Sequence, residues 1–197
     1  MEIKQRKLLL GEGKEEVIIF KELLKFMQLD DIQVEAYSGK DKLQSYLKTL
    51  RLTVGFSQLV SLGITRDADD SKESALQSIR SALENSKILA PSGSNNQIAT
   101  NLKIEVFILP DNQSNGMLED LFLQVIKDAE ISCIENYFEC MRQATEKQPK
   151  NSSKAKIHAW LSSQAIPDKR LGEAVKAGYW DWINSAFNPL KEFILLL

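Results

Sequence analysis

Histidine is nearly absent from this chain: His158 is the only one in 197 residues. A Ser–His or Cys–His nucleophile therefore has one place to form, in a stretch that reads as part of a helical tail. Cysteine is equally scarce. Cys133 and Cys140 share one face of a predicted helix two turns apart, a separation of ~10 Å that forbids a mutual disulfide. They are not spaced as a zinc pair and read as buried free thiols in a reducing, cytoplasmic compartment. No segment approaches the ~18 consecutive apolar residues of a membrane span. The N-terminal run has neither the length nor the cleavage site of a secretory leader. Charge of one sign is lacking too. A net charge of -2 forecasts no strong grip on a phosphate backbone, although a local basic stripe can coexist with it.

What is present is an alternating pattern. Apolar content of 43% and charged content of 26% suit an ordinary globular fold of one large domain, or one domain with an addition. Residues 4–10 read as a strand that ends in Gly11-Glu12-Gly13. A helix is expected from Lys14 to about Gln28, its broad apolar face centred on Ile19, Leu23 and Phe26. Strand two covers Ile32 to Tyr37, and Ser38-Gly39-Lys40-Asp41 turns into a helix ending near Leu50. Strand three is expected over 60–66, a helix over 72–85 and strand four over 103–109, with Pro91 to Gln97 as a surface loop. The remainder reads as helices at about 118–128, 131–147, 153–164 and 171–184, with a last one opening at Pro189.

The expected fold is α/β: a mostly parallel four-stranded sheet flanked by helices, joined by right-handed crossovers, with a C-terminal helical extension. The division falls at residues 1–120 and 121–197. The Tyr179, Trp180 and Trp182 aromatics and the apolar C-terminus are expected to pack on the body.

Chemistry concentrates at two strand ends. Strand three runs into Asp67-Ala-Asp69-Asp70, and strand one ends in Glu12 between glycines. Open parallel sheets bind ligands at the carboxyl ends of their strands. Carboxylates this close repel one another unless a cation, a base or solvent compensates. Oxygen donors with almost no histidine point to Mg²⁺ or Mn²⁺. Asp67 and Asp69 can bend toward one ion, and Glu12 can act as ligand or as general acid/base. Glu16, one helical turn beyond Glu12, and Asp111 or Glu119 are further candidates for ligands. Glu16, Glu119 and Asp120 suit a helix N-terminus equally well without any ligand. Arg66 precedes the first aspartate and faces the other way if the strand continues, which favours a structural ion pair.

The pattern Leu8-Leu-Leu-Gly-Glu-Gly13, followed some fifty residues later by Ile64-Thr-Arg-Asp-Ala-Asp69, resembles the Toprim domain of primases, topoisomerases and OLD-family nucleases. The similarity covers residue 7 to about 120. Arg66-Asp-Ala-Asp69, Leu109-Pro-Asp111, Gly116-Met-Leu-Glu-Asp-Leu121 and Gly178-Tyr-Trp-Asp181 look closest to small stand-alone bacterial Toprim-like proteins. The resemblance implies a Rossmannoid fold with Glu12 and Asp67 as catalytic residues. It also implies a divalent-metal site drawn from Glu12, Glu16, Asp67, Asp69 and Glu119. Gly13, Lys14, Gly39 and Lys40 would then face substrate. No transesterifying-tyrosine domain, ATPase domain or zinc region accompanies the module.

Three functions follow as expectations: metal-dependent phosphodiester hydrolysis by a small nuclease, a catalytically silent scaffold or partner-binding module, or phosphoryl transfer on a nucleotide or small phosphate ester. Nucleic acid, a second copy of the chain through the tail, or another protein are the partners left open. A membrane is not among them.

Overall fold

The structure, a computed structural model, describes residues 2–88 and 102–197. The loop expected at Pro91 to Gln97 lies outside them. Four parallel strands form one sheet: β1 (Lys7–Gly11), β2 (Ile32–Ala36), β3 (Ser61–Asp67) and β4 (Lys103–Leu109). Their spatial order is β2-β1-β3-β4. The chain leaves β1 toward one edge through helix α1 (Lys14–Phe26), then returns past β1 to β3 through α2 (Leu43–Leu50). Helix α3 (Lys72–Ser86) continues in that second direction to β4. Right-handed crossovers then require α1 on one face and α2 with α3 on the other.

The core obeys that rule. Leu8 and Leu10 of β1 and Leu62 and Ile64 of β3 pack with Leu43, Leu47 and Ile79 of α2 and α3. On the other face, Leu9 and Phe107 pack with Ile19, Phe20 and Leu23 of α1. Strand alternation produces both sets from the same strands. The central strands are apolar on both sides because both faces are covered.

The α1 face is completed by the rest of the chain. Here α4 (Leu118–Leu123), α5 (Asp128–Thr145), α6 (Ser152–Ser162), α7 (Leu171–Lys176) and α8 (Asn188–Leu195) follow in order. Leu118, Ile157, Leu171, Phe193 and Leu197 enter one apolar cluster with Leu9 and Phe20. Phe122 is its aromatic centre, with ring centroids 5.0 Å from Trp180, 6.1 Å from Trp182 and 5.4 Å from Phe187. The apolar C-terminus closes the chain's own core, as Leu197 lies over Gly63 of β3.

Several expectations are corrected. The helix over 171–184 stops at Lys176. Gly178 then adopts φ +79, a left-handed turn, and Trp180 and Trp182 pack from irregular chain. Helix α4 ends at Leu123 rather than near 128. Cys133 and Cys140 are exposed, not buried. Helix α5 lies on the body through few side chains, with only Ile134 buried, so both cysteines stay exposed, Cys133 beside an open groove between α5 and α6. Among the described residues no helix is long and apolar enough to cross a membrane.

Phe122→Ala should remove the hub of the tail's aromatic packing and cost about 3–5 kcal/mol. Urea unfolding followed by tryptophan fluorescence should show a lower midpoint and one cooperative transition.

Candidate functional site

Strand order reverses between β1 and β3: the crossover from β1 departs one way and that from β3 the other. The crevice outside the carboxyl ends of these two strands is where open α/β sheets place ligands. Glu12 follows the last residue of β1, and Asp67 is the last residue of β3.

Gly11 has a steric reason at this point. A Cβ there would stand 2.8 Å from the Cβ of Glu16 and 3.3 Å from the Phe20 ring. Glycine thus lets the first turn of α1 close over the strand end and carries Glu16 to the crevice. Glu16 is buried, and its Oε2 accepts the Gly13 N–H at 2.8 Å. Asp67 points toward α4, where its Oδ1 accepts the Leu118 N–H at 2.9 Å. Glu119 follows in that helix, its charge partly met by Lys154 at 3.8 Å.

These carboxyl groups perturb one another. Burial, then the charges of Glu16, Glu119 and Glu12, push Asp67 up to about 8 against the Leu118 hydrogen bond. Glu16 is raised by burial and by Glu12 and Glu119, with backbone hydrogen bonds opposing. Glu119 is raised by burial and Asp120, with Lys154 and His158 opposing. Burial raises Glu12 as well, assisted by Asp69 and opposed by Arg66 and Lys40.

The cause of this division lies in strand parity. Asp67 alternates with Gly63 toward the α1 face, while Arg66 alternates with Leu62 and Ile64 toward α3. Arg66 accordingly donates from Nη1 to Ser78 Oγ of α3 at 2.8 Å, and to the Lys40 carbonyl at 3.5 Å. Glu12 lies past its strand, between the two groups, and couples to members of both. Its carbonyl accepts the Gly39 N–H at 3.0 Å, which sets the turn at Gly39 and Lys40 beside it.

The expected site residues are thus gathered unevenly. Glu12, Glu16 and Glu119 stand near enough to Asp67 for their charges to act on it. Asp69 does not join them: it is exposed, its φ of +50 turns it outward, and Lys40 Nζ lies 3.4 Å from its Oδ2. Paired backbone hydrogen bonds with Gly116, at 2.8 and 2.9 Å, fix that turn. Gly116 has no substitute there, since a Cβ would meet Asp120 Oδ2 at 2.7 Å and φ is +131. Gly13 gives its N–H to Glu16, and Lys14 is exposed.

Two candidates are corrected. Burial would raise the Asp111 carboxyl, but hydrogen bonds from Ser114 and Gln113 outweigh it and hold it below the usual range. Asp111 is spent on its own turn rather than on a second ion. Arg66 forms no ion pair among the described residues; its structural partner is the Ser78 hydroxyl. Asp120 caps α4 through the Met117 N–H at 2.8 Å and accepts from Ser153 Oγ. Among the described residues no group of three or more His, Cys, Asp or Glu side chains is placed to hold a metal ion.

A family model described as "Protein of unknown function (DUF3226)" matches residues 6–197. The chain belongs to that family. No curated protein and no solved structure matches it.

Sequence reasoning missed the polar ladder beneath the crevice of this DUF3226 member. Buried Tyr37 donates to the Thr65 carbonyl at 3.0 Å, and Thr65 Oγ1 donates to the Leu10 carbonyl at 3.1 Å. The hydroxyls cross-link the ends of β2, β3 and β1. A tyrosine closing a predicted strand was the available signal. Tyr37→Phe should leave the Thr65 carbonyl one partner short and cost about 1–2 kcal/mol in chemical denaturation.

The sign of the Asp67 shift sets a pH dependence. Its ordinary value is 3.8 and its folded value about 8, so the folded chain keeps a proton that the unfolded chain releases. The stabilisation is full below about pH 4 and is lost as pH rises to about 8, at up to ~1.4 kcal/mol per unit. Asp67→Asn keeps the acceptor for Leu118 and removes the titration. It should raise stability at pH 8, leave it nearly unchanged at pH 3.5, and flatten the slope between, as read by urea melts across that range.

Proposed function

We propose that the chain hydrolyses phosphodiester bonds with a divalent metal ion, as a small nuclease of Toprim type. The observation that carries this reading is the crowding of Glu12, Glu16, Asp67 and Glu119 in the switch-point crevice, with Asp67 held far above the ordinary carboxylate range. Uncompensated carboxylates in a cleft destabilise the fold, and a bound cation would relieve them. The donors, all carboxylate oxygens, are of the kind Mg²⁺ or Mn²⁺ takes, and these side chains would have to turn toward one point to hold it. Glu16, Asp67 and Glu119 would hold the ion from the α1 side, with Glu12 and a rotated Asp69 from the other. Such an ion lowers the pKa of a bound water and neutralises charge on a phosphoryl oxygen. The residues 1–120 would constitute the Toprim-like unit, and 121–197 its helical extension.

The chain's own residues divide the remaining work. Glu12, at the junction of the acidic and basic groups, would take and return the proton of the attacking water. Gly39 and Lys40, in the turn beside it, would face substrate, as would Gly13 and Lys14 at the start of α1. Glycine at position 39, with φ +115 and no atom within 4 Å of a Cβ there, leaves that approach open.

A silent scaffold is the second reading. The absence of a ready ligand group among the described residues favours it, because Asp69 must leave Lys40 before it can reach an ion. Phosphoryl transfer on a small nucleotide has less support, since the cleft bordered by Lys40, Arg66 and Asp67 holds only 280 Å³.

Incubation with single- and double-stranded DNA and RNA in Mn²⁺ at pH 7.5–8 should yield cleavage. Glu12→Gln and Asp67→Asn should each lower it by about 100-fold or more. Mn²⁺ or Ca²⁺ should also raise the melting temperature of the natural chain and not that of Asp67→Asn. Absence of both effects at millimolar ion would leave the scaffold.

A further inference from the structure

On the α3 side of the crevice, Lys40, Arg66, Asp69, Ser71 and Ser74 border a cleft of 280 Å³ next to Asp67. Arg66 is half-buried there, and no carboxylate lies within ion-pair distance of it among the described residues. Its guanidinium is nevertheless fixed, by the Ser78 hydroxyl at 2.8 Å and the Lys40 carbonyl at 3.5 Å. An oriented arginine that uses only Nη1 in these contacts keeps further donors for a planar or tetrahedral oxyanion. Lys40 adds a second cation whose ion pair with Asp69, at 3.4 Å, is long and exposed on both sides.

We propose that Arg66, with Lys40, forms a phosphate-binding subsite, so that the ligand of the crevice is a phosphate ester whose oxyanion sits against α3. The proposal rests on the metal reading above, because Asp67, Asp69 and Asp70 border the same cleft. Their charge repels an anion until a divalent cation offsets it, so phosphate and cation bind cooperatively. The cleft is small and open, which admits a phosphate group and leaves the sugar and base of a nucleotide outside. Ser78 is a positioning residue that acts through Arg66.

The test is calorimetric titration of 5′-dTMP, and in parallel of inorganic phosphate, into the full chain at pH 7.5 with saturating Ca²⁺. The natural chain should bind dTMP in Ca²⁺ and far more weakly without it. Inorganic phosphate should compete if the oxyanion alone is recognised. Arg66→Gln should weaken dTMP about ten- to hundred-fold, with Ca²⁺ affinity unchanged or tighter. Arg66→Lys should restore part of the loss, and Ser78→Ala should weaken binding severalfold. Circular dichroism checks the fold of each variant, and Lys40→Gln, which should also weaken dTMP, serves if Arg66→Gln does not fold. Wild-type dTMP affinity in a folded Arg66→Gln that still binds Ca²⁺ overturns the subsite and leaves the metal reading standing. No Ca²⁺ or Mn²⁺ binding to the natural chain overturns both.

Discussion

Electrostatic crowding at the carboxyl ends of β1 and β3 is the constraint on which the arrangement turns. Folding drives Leu8 to Leu10 and Leu62 to Ile64 into the centre of the sheet, and whatever follows those runs is carried to the switch-point crevice. In this chain the followers are acids. Hydrophobic burial thus forces together groups whose ionised forms oppose it. The structure answers with backbone donors: the Gly13 N–H meets Glu16 and the Leu118 N–H meets Asp67. These are local remedies. They do not cancel the effect of burial and neighbouring charge, which still push Asp67 up to about 8.

The remainder of the fold ties the parts of that crevice together. Tyr37 and Thr65 tie three strand ends together under it. The Asp69–Gly116 bridge ties the turn after β3 to the turn after β4. The tail contributes from the far side, since Phe122 and the two tryptophans pack α4 against the sheet and so aim the Leu118 N–H at Asp67. An aromatic cluster remote from the crevice therefore sets the position of one carboxylate.

Much of this was legible in the residues. Each of the four strands and the helices between them announced themselves through apolar runs broken by glycine or polar turns, because buried central strands must be apolar on both faces. The acidic ends stood out for the converse reason, as charges attached directly to such runs. Less legible were features without periodicity. The stretch carrying Trp180 and Trp182 read as helical, yet these buried residues pack from irregular chain after Gly178. The cysteines of α5 looked buried because an amphipathic pattern does not say which helix has a free side. Asp111 read as one of several open candidates for a second ion, whereas Gln113 and Ser114 donate to it within its own turn.

The sequence by itself determined the parallel α/β order and which carboxylates reach the strand ends, because alternation and burial are properties of consecutive residues. Tertiary structure alone decided how those carboxylates divide. Glu16, Asp67 and Glu119 turn to one face, while Asp69, Lys40 and Arg66 gather at the other with Glu12 between them. Side-chain direction depends on strand parity, on the left-handed turn at Asp69 and on donors from helices distant in the chain. Arg66 shows the difference most directly: a neighbour of Asp67 in sequence, it is held by Ser78 on the opposite side of the sheet.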